Sequence, residues 1–501
     1  MDLKKLLSEL TPEEKLGQLT QLNAVFFKHD NEADITGPVQ NLHITEGDVK
    51  YAGSTLNFIG AKAMREIQDA AMAKQPHHIP LLFMQDVIHG YRTIYPIPLA
   101  MGCSFDEDLT RDCAKMAARE AAAAGVHVTF SPMLDLARDA RWGRVMESTG
   151  EDKTLNGRLA AAMVQGYQGD GTYRDPENIA ACVKHFAAYG APEAGRDYNS
   201  VELSERTLRN EYLPGYRAAV DAGVRMLMPS FNTVGGVPST ANRWLLTDVL
   251  RGEWGFDGVV ISDYNAYREM VKHGVAENSK EAAALAVNAG CDIEMMSAAT
   301  YLHAKELLDE GRITMEQIDA AVLRVLQLKE DLGLFENPYR AADEEKEQQL
   351  FLSPAHRAVC RRAAEESAVL LQNNGVLPFS REVKKIAVVG PFAAEKGIKG
   401  FWACAGRDEE CVSVSEGLAN LLPRAEITVE PGCSFALDEQ DCSGVAAAVA
   451  AAKAADVTVL CLGEYQNFSG EGNSRADLSL SPAQTELARR VIAANPDTAV
   501  V

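Results

Sequence analysis

The sequence is short of the features that define several broad classes of protein. No apolar run approaches the roughly 18–20 residues that a bilayer span needs. The opening Met1-Asp2-Leu3-Lys4-Lys5-Leu6-Leu7 lacks the apolar core of a cleavable signal peptide. The ten cysteines include no Cys-x-x-Cys pair and lie in helix-like and strand-like runs, which predicts reduced, mostly buried thiols and a cytoplasmic location. Basic residues are outnumbered, 49 against 71 acidic ones, for a net charge of −22. Such a surface repels phosphate backbones and anionic headgroups, so nucleic-acid and membrane partners are not expected. No Gly-x-Gly-x-x-Gly follows a strand, no Walker-type Gly-Lys-Ser/Thr occurs, and Gly390-Pro391 reads as a turn. No His-Glu-x-x-His is present, and adjacent His77 and His78 cannot point the same way on a strand. No cofactor and no metal are therefore expected.

The chain does carry apolar material for a large core, 47% of its 501 residues. Thr11-Pro12-Glu13-Glu14 has the grammar of a capping box with Pro at the first helical position. Apolar runs of four to seven residues then alternate with amphipathic helical stretches. The runs are Ile79–Met84 before Asp86, Val126–Phe130, Ile179–Val183 before Lys184, Val224–Met228, Val259–Ile261 before Asp263, and Cys291–Met295. Three of the intervening helices finish on Ala-Gly at Gly125, Gly223 and Gly290, where glycine takes the left-handed helix-ending conformation. Near-continuous apolar strands alternating with helices predict a parallel sheet buried on both faces. Six or more such units within residues 1–335 predict a (β/α)8 TIM-like barrel, of which six strands can be placed. A charged stretch within 336–358 is the expected linker. From 359 to 501 a second β-α alternation (Ile386–Val389, Ile427–Val429, Val457–Leu462, Thr498–Val501) predicts a parallel-sheet α/β sandwich domain. It stops on a strand, which predicts a domain incomplete at its C-terminus.

Chemistry-bearing residues gather where the strands end, the catalytic side of a barrel. Asp263 closes Gly258-Val259-Val260-Ile261-Ser262 and reads either as a helix N-cap or as a nucleophile or general base. Lys184-His185 follows Ala180-Ala181-Cys182-Val183 and reads as a buried ion pair, a ligand clamp or a Schiff-base lysine. Asp86, before Val87-Ile88-His89-Gly90, has the same location, with a cap as its plain role. The charged loop from Asp135 to Arg144 either staples itself to the barrel or binds ligand. Ser469-Gly470-Glu471-Gly472-Asn473-Ser474-Arg475 sets a carboxylate between glycines in the second domain.

Taken together these segments fall in a known order and spacing. Asp86-x-x-His89-Gly90, Arg141-Trp142-Gly143-Arg144-x-x-Glu147-x-x-Gly150-Glu151-Asp152, Lys184-His185-Phe186, Ser262-Asp263, Leu334-Phe335-Glu336-Asn337-Pro338-Tyr339 and Ser469-Gly470-Glu471-Gly472-x-Ser474-Arg475 resemble family 3 glycoside hydrolases of the bacterial β-glucosidase type. The resemblance runs from about residue 8 to the end. It implies a barrel followed by an α/β sandwich, with the active site at their junction. It implies a retaining, exo-acting β-glucosidase using double displacement, with Asp263 as nucleophile and Glu471 as acid/base. Asp86, Arg144, Lys184 and His185 would hold the hydroxyls of the −1 sugar, with Arg196 near the same site. Phe231 and Tyr264 would border the nucleophile, and Trp402 would cover the sugar face from the second domain. Glu464 competes with Glu471 for the acid/base role. The implied partner is a small glucoside or oligosaccharide, with a homo-oligomer left open.

The sequence departs from the family pattern at several points. Ala140 and Lys153 replace common prolines away from the chemistry. Phe231 stands where many relatives carry a Tyr that hydrogen-bonds the nucleophile, and Tyr264 stands where Trp is common, which leaves the aglycone preference open. Lys184-His185-Phe186 continues as Ala187-Ala188-Tyr189-Gly190, without the histidine of the N-acetylglucosaminidase branch. A β-xylosidase remains the alternative within the family. A Schiff-base aldolase or lyase using Lys184, and a non-catalytic sugar-binding protein, are the alternatives outside it.

Overall fold

The computed structural model describes residues 1–27, 49–438 and 440–501. It divides into two compact units, Met1–Ser367 with Trp402–Ala405, and Ala368–Phe401 with Gly406–Val501.

The first unit is built on eight parallel strands: β1 (Thr20–Asn23), β2 (Ser54–Leu56), β3 (Leu82–Gln85), β4 (Val128–Thr129), β5 (Ala180–Phe186), β6 (Met226–Pro229), β7 (Val259–Val260) and β8 (Glu294–Met295). Each pairs with its sequence neighbour from β1 to β7, and β8 pairs with β1. A parallel bridge between Ile261 and Ile293 joins the two ends of this sheet and closes the barrel. The six expected strands are all present. The two additional ones, β1 and β2, are rich in Thr, Gln, Asn and Ser, and every residue in them is buried. They carry no apolar run because their polar side chains fill the barrel interior, as where Gln21 Nε2 lies 3.0 Å from Met84 Sδ.

The local grammar of the helices is as expected. Thr11 and Glu14 form the capping box of helix Pro12–Gln18. Gly125 sits at φ +93°, and a Cβ there would lie 2.5 Å from Met64 Cγ, so both backbone conformation and space demand glycine. Helix Met315–Asp331 closes the barrel series and buries Lys329, whose Nζ donates to Gln18 Oε1 at 2.7 Å.

The stretch expected to be a linker is partly helical (Glu344–Leu350), and it and the next helix, Pro354–Ser367, both belong to the first unit. The division therefore falls after Ser367, beyond residue 359 where the second domain was expected to start. Burial of charge explains why the last helix stays with the barrel. His356 Nδ1 lies 2.7 Å from Glu120 Oε1 on helix Glu107–Ala123. Glu120 is fully buried and also accepts from the Thr93 hydroxyl at 2.6 Å and from the backbone N–H groups of Arg92 and Thr93 at 3.0 and 2.8 Å. That one carboxylate ties the last helix to the loop that follows β3.

The second unit has four parallel strands, β9 (Lys385–Val389), β10 (Glu426–Glu430), β11 (Val457–Leu460) and β12 (Thr498–Val500), in the order β10-β9-β11-β12. Alternate residues of β9 face two separate apolar clusters. Ala387 and Val389 meet helices Val445–Ala454 and Pro482–Ala494, while Ile386 and Val388 pack with Val459 and Cys461. Strand β9 is thus buried on both faces, as a central strand of a parallel sheet requires, while β10 and β12 at the sheet's edges stay partly exposed.

Two predictions follow from the buried charges. Glu120→Ala leaves His356 and three donors without their acceptor, so its urea unfolding midpoint should fall by the equivalent of about 3–5 kcal/mol. Burial pushes the Lys329 ammonium down to about 7 from 10.5. Between those values the unfolded chain binds the extra proton, so this residue makes stability rise with pH across that window. Lys329→Met should remove that rise, read from melting temperatures across the same range.

Candidate active site

The site lies at the C-terminal ends of the barrel strands. Asp86 directly follows β3, Lys184 and His185 lie within β5, and Asp263 comes shortly after β7. Arg144 belongs to the 3-10 turn Gly143–Glu147 in the connection after β4. Asp86, Arg144, Lys184 and His185 are all buried, and Asp263 is the most open of the five at 8%. Lys184 Nζ donates to Asp86 Oδ1 at 2.7 Å. Arg144 grips Glu147 through two bonds, Nε–Oε1 at 2.7 Å and Nη2–Oε2 at 3.0 Å. Its Nη2 also lies 3.1 Å from His185 Nε2, which is 3.5 Å from Asp263 Oδ2. The other Asp263 oxygen accepts the Tyr264 backbone N–H at 2.6 Å.

The plain reading of the two aspartates as helix caps does not hold. The helix after Asp263 is Ala266–Lys272, its N-cap position is Asn265, and it has no side-chain cap bond. After Asp86 no helix begins until Pro98–Ser104. Both carboxylates are used by the site itself.

Charge balance settles the protonation of the two basic groups on β5. Burial alone would lower the Lys184 ammonium, but the Asp86 and Glu147 carboxylates outweigh it and hold the group above the ordinary lysine value. His185 is driven well below the ordinary histidine value by burial and then by Arg144 and Lys184, so its imidazole is neutral. The neutral ring donates from Nδ1 to Asp135 Oδ2 at 2.8 Å, which leaves Nε2 to accept from Arg144.

Asp135, Glu147 and Tyr189 lay in segments quoted from the sequence but were given no role of their own, and Tyr216 was not quoted at all, yet these four hold this arrangement. Asp135 is fully buried. Its Oδ2 accepts the His185 backbone N–H at 3.0 Å as well as Nδ1, and its Oδ1 faces the Tyr189 N–H at 3.0 Å and the Tyr216 hydroxyl at 2.9 Å. The three-residue spacing of Arg144 and Glu147 on one turn was a usable signal. Tyr216, on helix Leu213–Asp221, reaches the site across the fold and left none.

Aromatic side chains flank the charged floor. Trp142 meets Tyr189 edge-on at 5.3 Å, and Tyr189 meets the His185 ring at 5.2 Å. Phe231 packs against Tyr189 and Tyr198 at 6.1 and 5.3 Å, and Tyr264 packs on the same cluster. Trp402 had been expected from the second domain; its segment instead groups with the first unit, and Lys184 Nζ stands 5.4 Å from its ring centre. Ala405 anchors that segment, donating its N–H to Tyr91 O at 2.9 Å and accepting from Arg92 Nη1 at 2.8 Å. The Arg196 side chain is exposed and makes no hydrogen bond or ion pair among the described residues, so the structure does not join it to the cluster. In the second unit Glu471 sits in a turn between Gly470 at φ +94° and Gly472 at φ +78°, while Glu464 is ion-paired with Arg475.

Among the described residues no group of three His, Cys, Asp or Glu is placed to hold a metal ion, and no helix is long and apolar enough to cross a membrane. The site offers one slightly open carboxylate beside buried cations, with neutral and charged hydrogen-bonding groups around it. That is suited to recognising hydroxyl groups next to a nucleophile or base.

Comparison with known proteins points the same way. The family model described as the glycosyl hydrolase family 3 N-terminal domain matches residues 11–328, and that of the C-terminal domain matches 368–501. A periplasmic β-glucosidase of Salmonella typhimurium is 36% identical over 506 residues, covering 96% of this chain and 65% of its own length. A β-xylosidase of Formosa agariphila is 36% identical, covering 89% of this chain and 65% of its own. The crystal structure of a β-glucosidase from Listeria innocua in complex with glucose superposes with a TM-score of 0.93 at 46% identity, covering 99% of this chain and 68% of that one. The chain thus spans about two-thirds of the length of these relatives. With both family domains matched in order on a barrel and a separate parallel sheet, the chain belongs to glycosyl hydrolase family 3.

Proposed function

We propose that this protein is a retaining, exo-acting β-glucosidase. The observation that carries the reading is the charged cluster at the barrel mouth, in which Asp263, the most exposed member at 8%, stands 3.5 Å from His185 beside the buried pairs Lys184–Asp86 and Arg144–Glu147. An ionised nucleophile needs cations close by, and Asp263 is electrostatically coupled to Lys184. In the first step an Asp263 oxygen attacks the anomeric carbon as the glycosidic bond breaks, and the departing oxygen takes a proton from Glu471. In the second step Glu471 removes a proton from water, whose oxygen attacks the same carbon and releases Asp263.

Asp86, Lys184, Arg144 and His185 supply donors and acceptors for the hydroxyls of the bound sugar. Trp402 offers an apolar face over Lys184, and Phe231 and Tyr264 line the approach to the nucleophile. Glu464 is the weaker acid/base candidate because a proton-cycling role would break its ion pair with Arg475. β-Xylosidase activity is a second reading, supported by the Formosa relative. The Schiff-base alternative is disfavoured, because a lysine nucleophile must lose its proton and Asp86 and Glu147 hold that of Lys184 in place. We also assign a cytoplasmic location, supported by none of the ten cysteines forming a disulfide. Cell fractionation tests this, since the Salmonella relative is named as periplasmic.

A 2-deoxy-2-fluoro glucoside should trap a glycosyl ester on Asp263, and a label on any other residue would remove the assignment. Among aryl glucoside, xyloside, galactoside and N-acetylglucosaminide, the glucoside should turn over fastest. Glu471→Gln should lose roughly 10²–10⁴-fold on substrates with poor leaving groups and far less on a dinitrophenyl glucoside. Borohydride with a carbonyl compound at neutral pH should leave Lys184 unmodified by mass spectrometry.

A further inference from the structure

Behind the catalytic floor lies a second carboxylate that the two-step chemistry does not use. Asp135 is fully buried, and its two oxygens face four hydrogen-bonding groups from three parts of the fold. We propose that Asp135 is a positioning residue for the reaction at Asp263: it locks the His185 imidazole with Nε2 facing Arg144 and the nucleophile, and with Tyr216 it forms a proton-carrying pair behind that ring. The proposal rests on the glucosidase reading above and names a residue through which that site is set.

The tautomer lock follows from geometry. His185 Nδ1 and its own backbone N–H converge on one Asp135 oxygen, at 2.8 and 3.0 Å. An acceptor at that place fixes both the ring plane and the nitrogen that carries hydrogen, so Nε2 presents a lone pair to Arg144. Without it the ring is free to take the other tautomer, whose Nε2–H would oppose the Arg144 donor.

The proton-carrying role follows from counting hydrogens. The Tyr216 hydroxyl has one hydrogen and two acceptors in range, the His185 carbonyl at 2.6 Å and Asp135 Oδ1 at 2.9 Å. With Asp135 ionised, one of those contacts lacks a hydrogen. With a proton on Oδ1, Asp135 donates to the tyrosine oxygen, the tyrosine donates to the carbonyl, and both contacts are made. Burial drives the same way, pushing the Asp135 carboxyl up to about 7 against the opposing pull of its bonds to His185 and Tyr216 and of Arg144.

The charged groups around it are Arg144 and Glu147 on the turn after β4, Lys184 beside His185 on β5, and, beyond the ring, Asp86 and Asp263. Below neutrality Asp135 is uncharged. Above it, an added negative charge stands behind His185 and favours the positive charge that develops on the sugar in the transition state. Formation of the glycosyl ester should therefore quicken as pH rises through about 7.

The test uses the full chain and 2,4-dinitrophenyl β-glucoside, whose leaving group needs no proton and so removes the alkaline limb that loss of the general acid's proton would cause. In the unsubstituted protein kcat/KM should rise severalfold between about pH 6 and pH 8. Asp135→Asn keeps an acceptor for Nδ1 but cannot ionise, and its profile should be flat over that range. Asp135→Ala should lose roughly tenfold or more in kcat with little change in KM, and the His185 Nδ1–H resonance seen by NMR in the other two proteins should disappear. The same pH inflection in Asp135→Asn overturns the proton-carrying role. An Nδ1–H resonance that persists in Asp135→Ala, or a variant with full kcat, overturns the lock. Circular dichroism identifies a misfolded alanine variant, and the asparagine profile then decides. If the unsubstituted protein neither turns over the glucoside nor labels at Asp263, the glucosidase reading is what fails; the His185 resonance still tests the lock.

Discussion

Two cations buried at the mouth of the barrel govern the rest of the site. Lys184 and Arg144 are almost completely removed from water, and each survives there only because a carboxylate is held against it. Asp86 and Glu147 are therefore as necessary as the cations they face. Once those pairs are fixed, neighbouring protonation states follow: the lysine keeps its proton, and the histidine between the cations cannot gain one. Asp263 is the most exposed charged group in this layer, at 8%.

Barrel topology explains how residues far apart in sequence arrive in this layer. Parallel strands put all their C-terminal ends on one face, so Asp86, Lys184, His185 and Asp263 converge without special long-range signals. This made much of the site legible from sequence. An apolar run ending in a charged residue marks a strand and its mouth, which located β3, β5 and β7 together with their polar termini. The same criterion missed β1 and β2, where Thr, Gln, Asn and Ser are buried in the barrel and no apolar run exists. Family resemblance supplied roles for Asp263 and Glu471 that spacing alone left open between cap, base and nucleophile.

The supporting groups were harder to read for a different reason. Asp135 opens a loop dense with charge, which its composition left open between a staple on the barrel and a ligand-binding segment, and only folding shows it to be fully enclosed. Tyr216 reaches it from a helix 81 residues further along the chain. Contacts of that range leave no periodicity and no motif. Arg196 illustrates the converse, a basic residue that the resemblance placed near the sugar and whose side chain is exposed in the structure.

The residues Trp402–Ala405 carry a practical consequence for anyone dividing this protein into parts. They pack with the barrel unit, although the chain on either side of them belongs to the other. A fragment ending at Ser367 would keep all eight strands and both buried ion pairs, yet the indole above Lys184 would be missing, as would the Ala405 backbone that Arg92 and Tyr91 engage. Domain borders drawn along the sequence and borders drawn by packing do not coincide here. Shuffling the two halves between relatives at that border would exchange the indole beside Lys184 along with the second domain.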